Sequence, residues 1–235
     1  MRCFLLSAGK GQRLGKLTEN NSKCLLPVGN KSMIEHWLYL LNLYHITDVL
    51  INTHHCSDKV IAHCSKLSSK YRCRTTFTYE KELLGTAKTI STNRDFVRDD
   101  RYFLIVYTDT WMQVDLKEML KFQKRHKGMG TIGLYKPKSL SDQGSVKVNG
   151  RKILEIEEKS LHPKGDYAFA GIMIGCTSMF RFYNDKMIDL VRDWLPVIKE
   201  GLNPFFIKGL VLDIGTPERY KEAHTKISSL GLKSL

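Results

Sequence analysis

Two hydrophobic periods alternate through the first half of the chain. Residues 2–7, Arg-Cys-Phe-Leu-Leu-Ser, form a short unbroken apolar run closed by small residues, which predicts a buried strand with a loop behind it. Ser32 stands ahead of Ile34, Trp37, Leu38 and Leu41, whose three- and four-residue spacing makes one apolar helical face with the serine as N-cap. Residues 48–53 repeat the strand, residues 58–68 the amphipathic helix, and residues 74–79 alternate in the strand manner. A helix over 86–93 leads to the most strongly strand-like run, 102–107, and residues 116–126 are helical again. Beyond residue 130 the rhythm changes to short strands at 131–135, 145–148, 153–157 and 169–174, with helices returning at 186–199 and 217–228.

Strands alternating with helices at this pitch indicate βαβ units. The fold class expected is α/β: a single Rossmann-like, mainly parallel sheet flanked by helices, with an antiparallel elaboration in the second half. There is no internal repeat, low-complexity tract or linker, so residues 1–235 read as a single domain. Open sheets of this kind take ligands at the carboxyl ends of their strands.

Composition changes little in that picture. The chain is 42% hydrophobic and 26% charged, ordinary for a globular protein. No apolar run reaches the roughly 20 residues that span a bilayer, and the start reads as no secretory signal, so a cytoplasmic protein away from membranes is expected. The six cysteines at positions 3, 24, 56, 64, 73 and 176 contain no C-x-x-C pair, which suits reduced thiols. His54, His55, Cys56, His63 and Cys64 lack the tight paired spacing of a zinc knuckle and read as ordinary strand and helix residues. A formal net charge of +13 favours polyanionic partners, but the basic residues are spread along the chain. Charge by itself does not choose between nucleic acid and nucleotides.

Candidate chemistry begins directly after the first strand, at Ser7-Ala8-Gly9-Lys10-Gly11-Gln12-Arg13-Leu14. Small residues let backbone N–H groups approach phosphate oxygens, and Arg13 adds a planar guanidinium that can hold two oxygens at once. The segment is not a Walker loop, and Leu14 stands where a dinucleotide-binding loop needs its third glycine. Elsewhere the residues stay ambiguous one at a time. Asp109 could be a strand-end cap, Asp213-Ile-Gly-Thr a turn before a helix opened by Pro217, Lys159 a solvated lysine, and Glu80 and Glu82 surface charges.

The ordered set is more specific. S-A-G-K-G-Q-R-L, then L-T from Leu17, then S-K-C-L-L-P-V around Lys23 resemble the signature of the sugar-1-phosphate nucleotidyltransferases, with Ser22 in place of a usual proline. Glu80-Lys-Glu-Leu-Leu-Gly85-Thr86-Ala87 resembles the loop that lies against the base in that family. Leu104-Ile-Val-Tyr-Thr-Asp109 resembles the strand that ends in a metal-binding aspartate. Glu157-Glu158-Lys159-Ser160 resembles the sugar-phosphate motif, Ala168-Phe-Ala-Gly171-Ile the strand beyond it, and Leu212-Asp213-Ile-Gly-Thr-Pro217 the segment with the second metal ligand. Thr108, Leu83, Lys88 and Phe169 depart from the usual residues without removing a charged group. The likeness runs from residue 2 to about 223, and nothing after it resembles the acyltransferase repeats of longer relatives.

The resemblance implies a nucleotidyltransferase catalytic domain that condenses a nucleoside triphosphate with a sugar 1-phosphate and releases pyrophosphate. By it, Arg13 and Lys23 are catalytic, and Ala8, Gly9, Gly11, Glu80, Gly85 and Thr86 bind the nucleotide. Gly144, Glu158, Lys159 and Gly171 bind the sugar phosphate, and Asp109 and Asp213 hold Mg²⁺. A carboxylate at Glu80, where uridylyl- and thymidylyltransferases often carry glutamine, points to GTP, because guanine offers two donors on one edge. The chain looks most like the mannose- and heptose-1-phosphate guanylyltransferases. UTP- or dTTP-dependent enzymes acting on glucose or amino sugars, and a regulatory relative without activity, stay open, as does homo-oligomer formation. The resemblance implies no nucleic-acid partner.

Overall fold

In a computed structural model the described residues are 1–140, 143–160 and 162–230. Strands follow one another as β1 (Cys3–Leu6), β2 (Pro27–Val28), β3 (Lys31–Ser32), β4 (Asp48–Thr53), β5 (Arg74–Tyr79), β6 (Tyr102–Tyr107), β7 (Thr110–Met112), β8 (Gly130–Tyr135), β9 (Gly144–Asn149), β10 (Lys152–Glu158), β11 (Tyr167–Cys176), β12 (Leu202–Phe206) and β13 (Val211–Asp213). The α-helices are α1 (Lys16–Glu19), α2 (Met33–Leu43), α3 (Ser57–Lys70), α4 (Thr86–Thr92), α5 (Leu116–His126), α6 (Leu195–Ile198) and α7 (Pro217–Ser229). Among the described residues, no helix is long and apolar enough to cross a membrane.

The contacts divide the chain into two units, one of residues Cys3–Leu83, Tyr107–Met112 and Val211–Leu235, the other of Met1–Arg2, Leu84–Val106 and Gln113–Leu210. In the first, β1, β4 and β5 pair in parallel, with Leu6 opposite Asn52 and Thr53 opposite Tyr79. β1 is buried along its whole length, as a strand covered on both faces must be, and this is why it reads as an unbroken apolar run. Helix α2 turns Met33, Ile34, Trp37, Leu38 and Leu41 inward. Ser32 is its N-cap: the serine Oγ accepts from the Glu35 N–H at 3.2 Å, while the Glu35 carboxylate accepts from Lys70 Nζ and the Tyr71 hydroxyl. Thr216 caps α7 in the same way, with Pro217 as the first helical residue.

The second unit carries the antiparallel elaboration. β9 and β10 form a hairpin, and β11 runs antiparallel to β6, β8 and β9. The register of β11 against β8 slips between Phe169 and Met173, a bulge that contains Gly171. β12 pairs with β8 in parallel and carries Pro204. The single helix expected over 186–199 does not form. Asp189 caps a π-type turn, Leu190–Trp194, which passes into the short α6 and then a 3₁₀ turn. Pro196, near the start of α6, has no N–H to give the carbonyl four residues back, so the regular α-helical hydrogen bonding is interrupted there. Taken together, the mixed α/β fold expected of the chain is present: a parallel sheet with flanking helices, then antiparallel strands in the second half.

Candidate functional site

In the first unit the loop after β1 turns sharply at Gly11, which has φ 66°. A Cβ there would fall 2.9 Å from Thr18 Cγ2 and 3.3 Å from Lys23 Cβ, so only glycine fits. The Thr18 hydroxyl donates to the Gly11 carbonyl at 2.9 Å and the Leu14 N–H donates to it at 2.8 Å, which pins the turn. Gly9 and Arg13 are exposed, whereas Ala8 is buried at the strand end. Ser22, the departure from the family pattern, has φ −74° and ψ 141°, a conformation that a proline, whose ring fixes φ near this value, would also adopt. The serine therefore keeps the shape of the segment and gives up its stiffness.

That segment delivers Lys23 inward, its side chain 11% exposed, and its ammonium donates to Asp109 Oδ2 at 2.8 Å. Asp109 is placed by its neighbours. The Thr108 N–H and hydroxyl both donate to the Leu6 carbonyl, and the Trp37 indole donates to the Thr110 carbonyl at 3.0 Å. Thr108, the second departure, thus anchors the loop to the end of β1. β13 pairs antiparallel with β7, setting Asp213 opposite Thr110, and the Ile214 N–H donates to the Asp109 carbonyl at 3.0 Å. Asp213 Oδ1 accepts from the Gly215 N–H at 2.7 Å and from Arg219 Nη1 at 3.2 Å. A Cβ on Gly215 would lie 2.7 Å from Asp213 Oδ1 and 3.0 Å from Arg13 Nη2, which brings the Arg13 guanidinium to the same corner.

The electrostatics follow from this crowding. Burial pushes the Asp109 carboxyl up, but the Lys23 ammonium, its hydrogen bond and Arg13 outweigh that and hold it below its ordinary value. Burial and then the negative charge of Asp109 push the Asp213 carboxyl above its ordinary value. Two half-buried carboxylates that repel each other, bordered by cations, offer an all-oxygen donor set. That set fits a hard divalent ion such as Mg²⁺, which takes one or two carboxylates and fills its remaining positions with phosphate and water.

Glu80, alone a candidate surface charge, is 3% exposed. Its Oε1 accepts from Asn52 Nδ2 at 2.8 Å, and its main-chain carbonyl accepts from His54 Nδ1 at 2.8 Å. His55 Nε2 donates to the Thr18 carbonyl and His63 Nε2 meets Ser32 Oγ, so the histidines serve separate local roles.

The other expected residues belong to the second unit. Gly85 has φ 85°, and a Cβ on it would fall 2.5 Å from the Ile188 carbonyl oxygen. Thr86 Oγ1 donates to Asp189 Oδ2 at 3.0 Å and accepts from the Leu190 N–H at 2.7 Å, while the Ala87 N–H donates to the Ile188 carbonyl. Gly144 and Glu158 face each other across the β9–β10 hairpin, and a Cβ on Gly144 would lie 3.0 Å from Glu158 Oε2. Burial raises the Glu158 carboxyl, and Asp189 adds to this against the opposing pull of Lys159. Lys159 takes a left-handed φ of 50°, is 59% exposed, and has its ammonium 3.4 Å from Glu158 Oε1.

Sequence reasoning passed over Asn52, Asp189 and Arg219. Asn52 looks like one more strand residue, and Asp189 lies where a helix interior was expected. Arg219 had a signal that could have been read: it stands six residues after Asp213, one turn into a helix.

Against known proteins, the model of the nucleotidyl transferase family matches residues 3–229. The mannose-1-phosphate guanyltransferase of Aspergillus oryzae is 29% identical over 226 residues, covering 94% of this chain and 62% of that protein. The enzyme of the same name from Saccharomyces cerevisiae is 26% identical, over 94% of this chain and 63% of that protein. The chain thus spans under two thirds of the length of these relatives. A putative glucose-1-phosphate thymidylyltransferase from Bacillus anthracis, solved with sucrose, superposes with a TM-score of 0.86 at 24% identity, covering 97% of this chain and 95% of that one. HddC from Yersinia pseudotuberculosis, solved with GMP-PN, gives 0.78 at 22% identity, covering 96% of this chain and 99% of that one. Both likenesses speak to the fold.

Proposed function

Because the chain belongs to the nucleotidyl transferase family, we propose that it joins a nucleoside triphosphate, GTP, to a sugar 1-phosphate of the mannose or heptose type, giving an NDP-sugar and pyrophosphate. The observation that carries this reading is the meeting of Lys23, Asp109 and Asp213 beside the glycine loop, with no His or Cys among them. The reaction is an in-line displacement at the α-phosphorus. Its nucleophile is a phosphate oxygen of the sugar 1-phosphate, already ionised at neutral pH, so no general base is needed. The barrier is repulsion between anions, and the protein answers it with positioning and positive charge.

Ala8, Gly9, Gly11 and Arg13 hold the departing β- and γ-phosphates, and Lys23 lies at the reacting ones. Asp109 and Asp213 would hold Mg²⁺, and the bound ion would supply further positive charge at the phosphate oxygens. Lys159 takes the sugar phosphate and Glu158 the sugar hydroxyls, with Gly144 and Gly171 leaving room for the ring. Glu80, Gly85 and Thr86 meet the base. Residues 1–235 then act as one catalytic domain in the cytoplasm, and the net charge of +13 serves small anionic substrates in place of nucleic acid.

A pyrophosphate-release screen of the common nucleoside triphosphates against mannose, heptose, glucose and amino-sugar 1-phosphates tests the reading. Release is expected with GTP; silence across the whole panel would overturn it. For uracil and thymine, a carboxylate meets carbonyl oxygens on either side of one N–H, so GTP should be preferred by about 5- to 150-fold in kcat/KM, and Glu80→Gln should narrow the gap. A wild-type preference for UTP or dTTP would end the guanylyltransferase reading. The two ends of the reaction separate in a second pair of variants. Arg13→Ala should mainly impair use of the triphosphate, and Lys159→Ala should mainly raise KM for the sugar phosphate. A Lys159→Ala enzyme altered only in its nucleotide constant would show the site to be assigned the wrong way round.

A further inference from the structure

Asn52 interrupts an apolar strand. Its neighbours Val49, Leu50, Ile51 and Thr53 are buried, and Asn52 itself is 5% exposed. A primary amide sealed in such a strand must place both its carbonyl and its N–H groups, or it destabilises the fold. Here each end has a partner. Oδ1 accepts from the Ser7 N–H at 2.7 Å, and Nδ2 donates to Glu80 Oε1 at 2.8 Å. The Asn52 main-chain carbonyl also accepts from Ser7 Oγ at 2.5 Å.

These three residues lie on or immediately beyond adjacent parallel strands. Ser7 follows the last residue of β1, Glu80 follows the last residue of β5, and Asn52 comes from β4 between them, with Leu6 opposite Asn52 and Thr53 opposite Tyr79. The Glu80 N–H donates to the Thr53 carbonyl at 2.8 Å, so its backbone is held as well. One amide therefore connects the start of the phosphate loop to the carboxylate assigned to the base.

We propose that Asn52 is a positioning residue for base selection: its amide sets the orientation of the Glu80 carboxylate and ties it to Ser7. This rests on the reading of Glu80 as the base-facing group. Only a side chain that donates at one end and accepts at the other can satisfy both partners, which asparagine does and aspartate or leucine cannot. The consequence falls on specificity. A carboxylate held in one orientation distinguishes an edge with two donors from an edge with one donor between acceptors, and a carboxylate free to turn loses that contrast.

The test measures kcat/KM for GTP, UTP and dTTP with mannose 1-phosphate, together with thermal melting, in the full chain. The variants are Asn52→Asp, Glu80→Gln and the two combined. Asn52→Asp sets two carboxylates against each other and should reduce the GTP preference by about tenfold or more. The double variant restores the hydrogen bond with reversed polarity, the new amide donating to the new carboxylate. It should recover the melting temperature lost in Asn52→Asp while keeping the base ratio of Glu80→Gln alone. If Asn52→Asp does not fold, Asn52→Ser serves, because its shorter hydroxyl cannot reach both partners.

Two results would overturn the proposal, and they differ. If Glu80→Gln shifts the base ratio but the Asn52 variants lower activity equally for all three nucleotides, Asn52 is only structural and the reading of Glu80 stands. If Glu80→Gln leaves the ratio unchanged, the reading of Glu80 has failed and the role of Asn52 falls with it.

Discussion

Asp109→Asn and Asp213→Asn should each lower turnover by about two to four orders of magnitude while leaving the fold intact, because under the proposed function each would remove an anionic ligand from an ion worth several kcal/mol to the transition state. The two substitutions should differ in stability, and the difference is what makes the pair informative. Asp109 is held below its ordinary carboxyl value because Lys23 and Arg13 outweigh its burial, so its charge is favourable where it stands. Asparagine there loses the ion pair with Lys23 and should lower the melting temperature. Asp213 is raised by burial and by Asp109, so its charge is unfavourable in the folded chain without a cation. Asparagine there relieves the repulsion and should leave the melting temperature unchanged or higher. Initial rates over a Mg²⁺ titration, with melting curves of the same samples, check both halves. Full activity in EDTA, or in either variant, would remove the ion and its ligands from the mechanism.

Lys23→Ala is the other large effect expected, a fall in kcat of about 10²- to 10³-fold with a smaller change in either KM. The ammonium is 11% exposed and 2.8 Å from Asp109 Oδ2, and its Cβ lies 3.3 Å from where a side chain on Gly11 would begin. It is thus a positive charge held in place by Asp109 beside the glycine loop. Such a charge acts where negative charge develops and is not reorganised during the reaction. Arginine should not substitute fully, since a planar fork does not reproduce the compact ammonium that Lys23 sets 2.8 Å from Asp109 Oδ2. Removing Lys23 also strips Asp109 of its nearest cation, so rates are to be compared well below the melting temperature of the variant. An unchanged kcat would reassign Lys23 to supporting Asp109 alone.

Both predictions concern residues whose types and spacings the chain displays openly. The runs that become β1 and β4, the Ser32 cap, Pro217 opening a helix, and the glycine loop that carries Arg13 are all legible. Each depends on neighbours within a few positions, and burial on both faces of a strand, capping chemistry and turn geometry are local demands. Reading fails where a residue's role depends on a partner far along the chain. Asp213 reaches Asp109 only because β13 pairs with β7, and three residues of strand carry no period that would announce the pairing. Pro204 argues against a strand, yet β12 pairs along β8. Residues 186–199 have the composition of a helix, but Pro196 breaks its hydrogen bonding and the Ile188 carbonyl is taken by α4. Glu80 in isolation resembles a surface charge, and Asn52 a strand residue without a task. Their burial and their bond arise when β4 and β5 align, because a hydrogen bond between strands is set by register, which sequence distance does not encode.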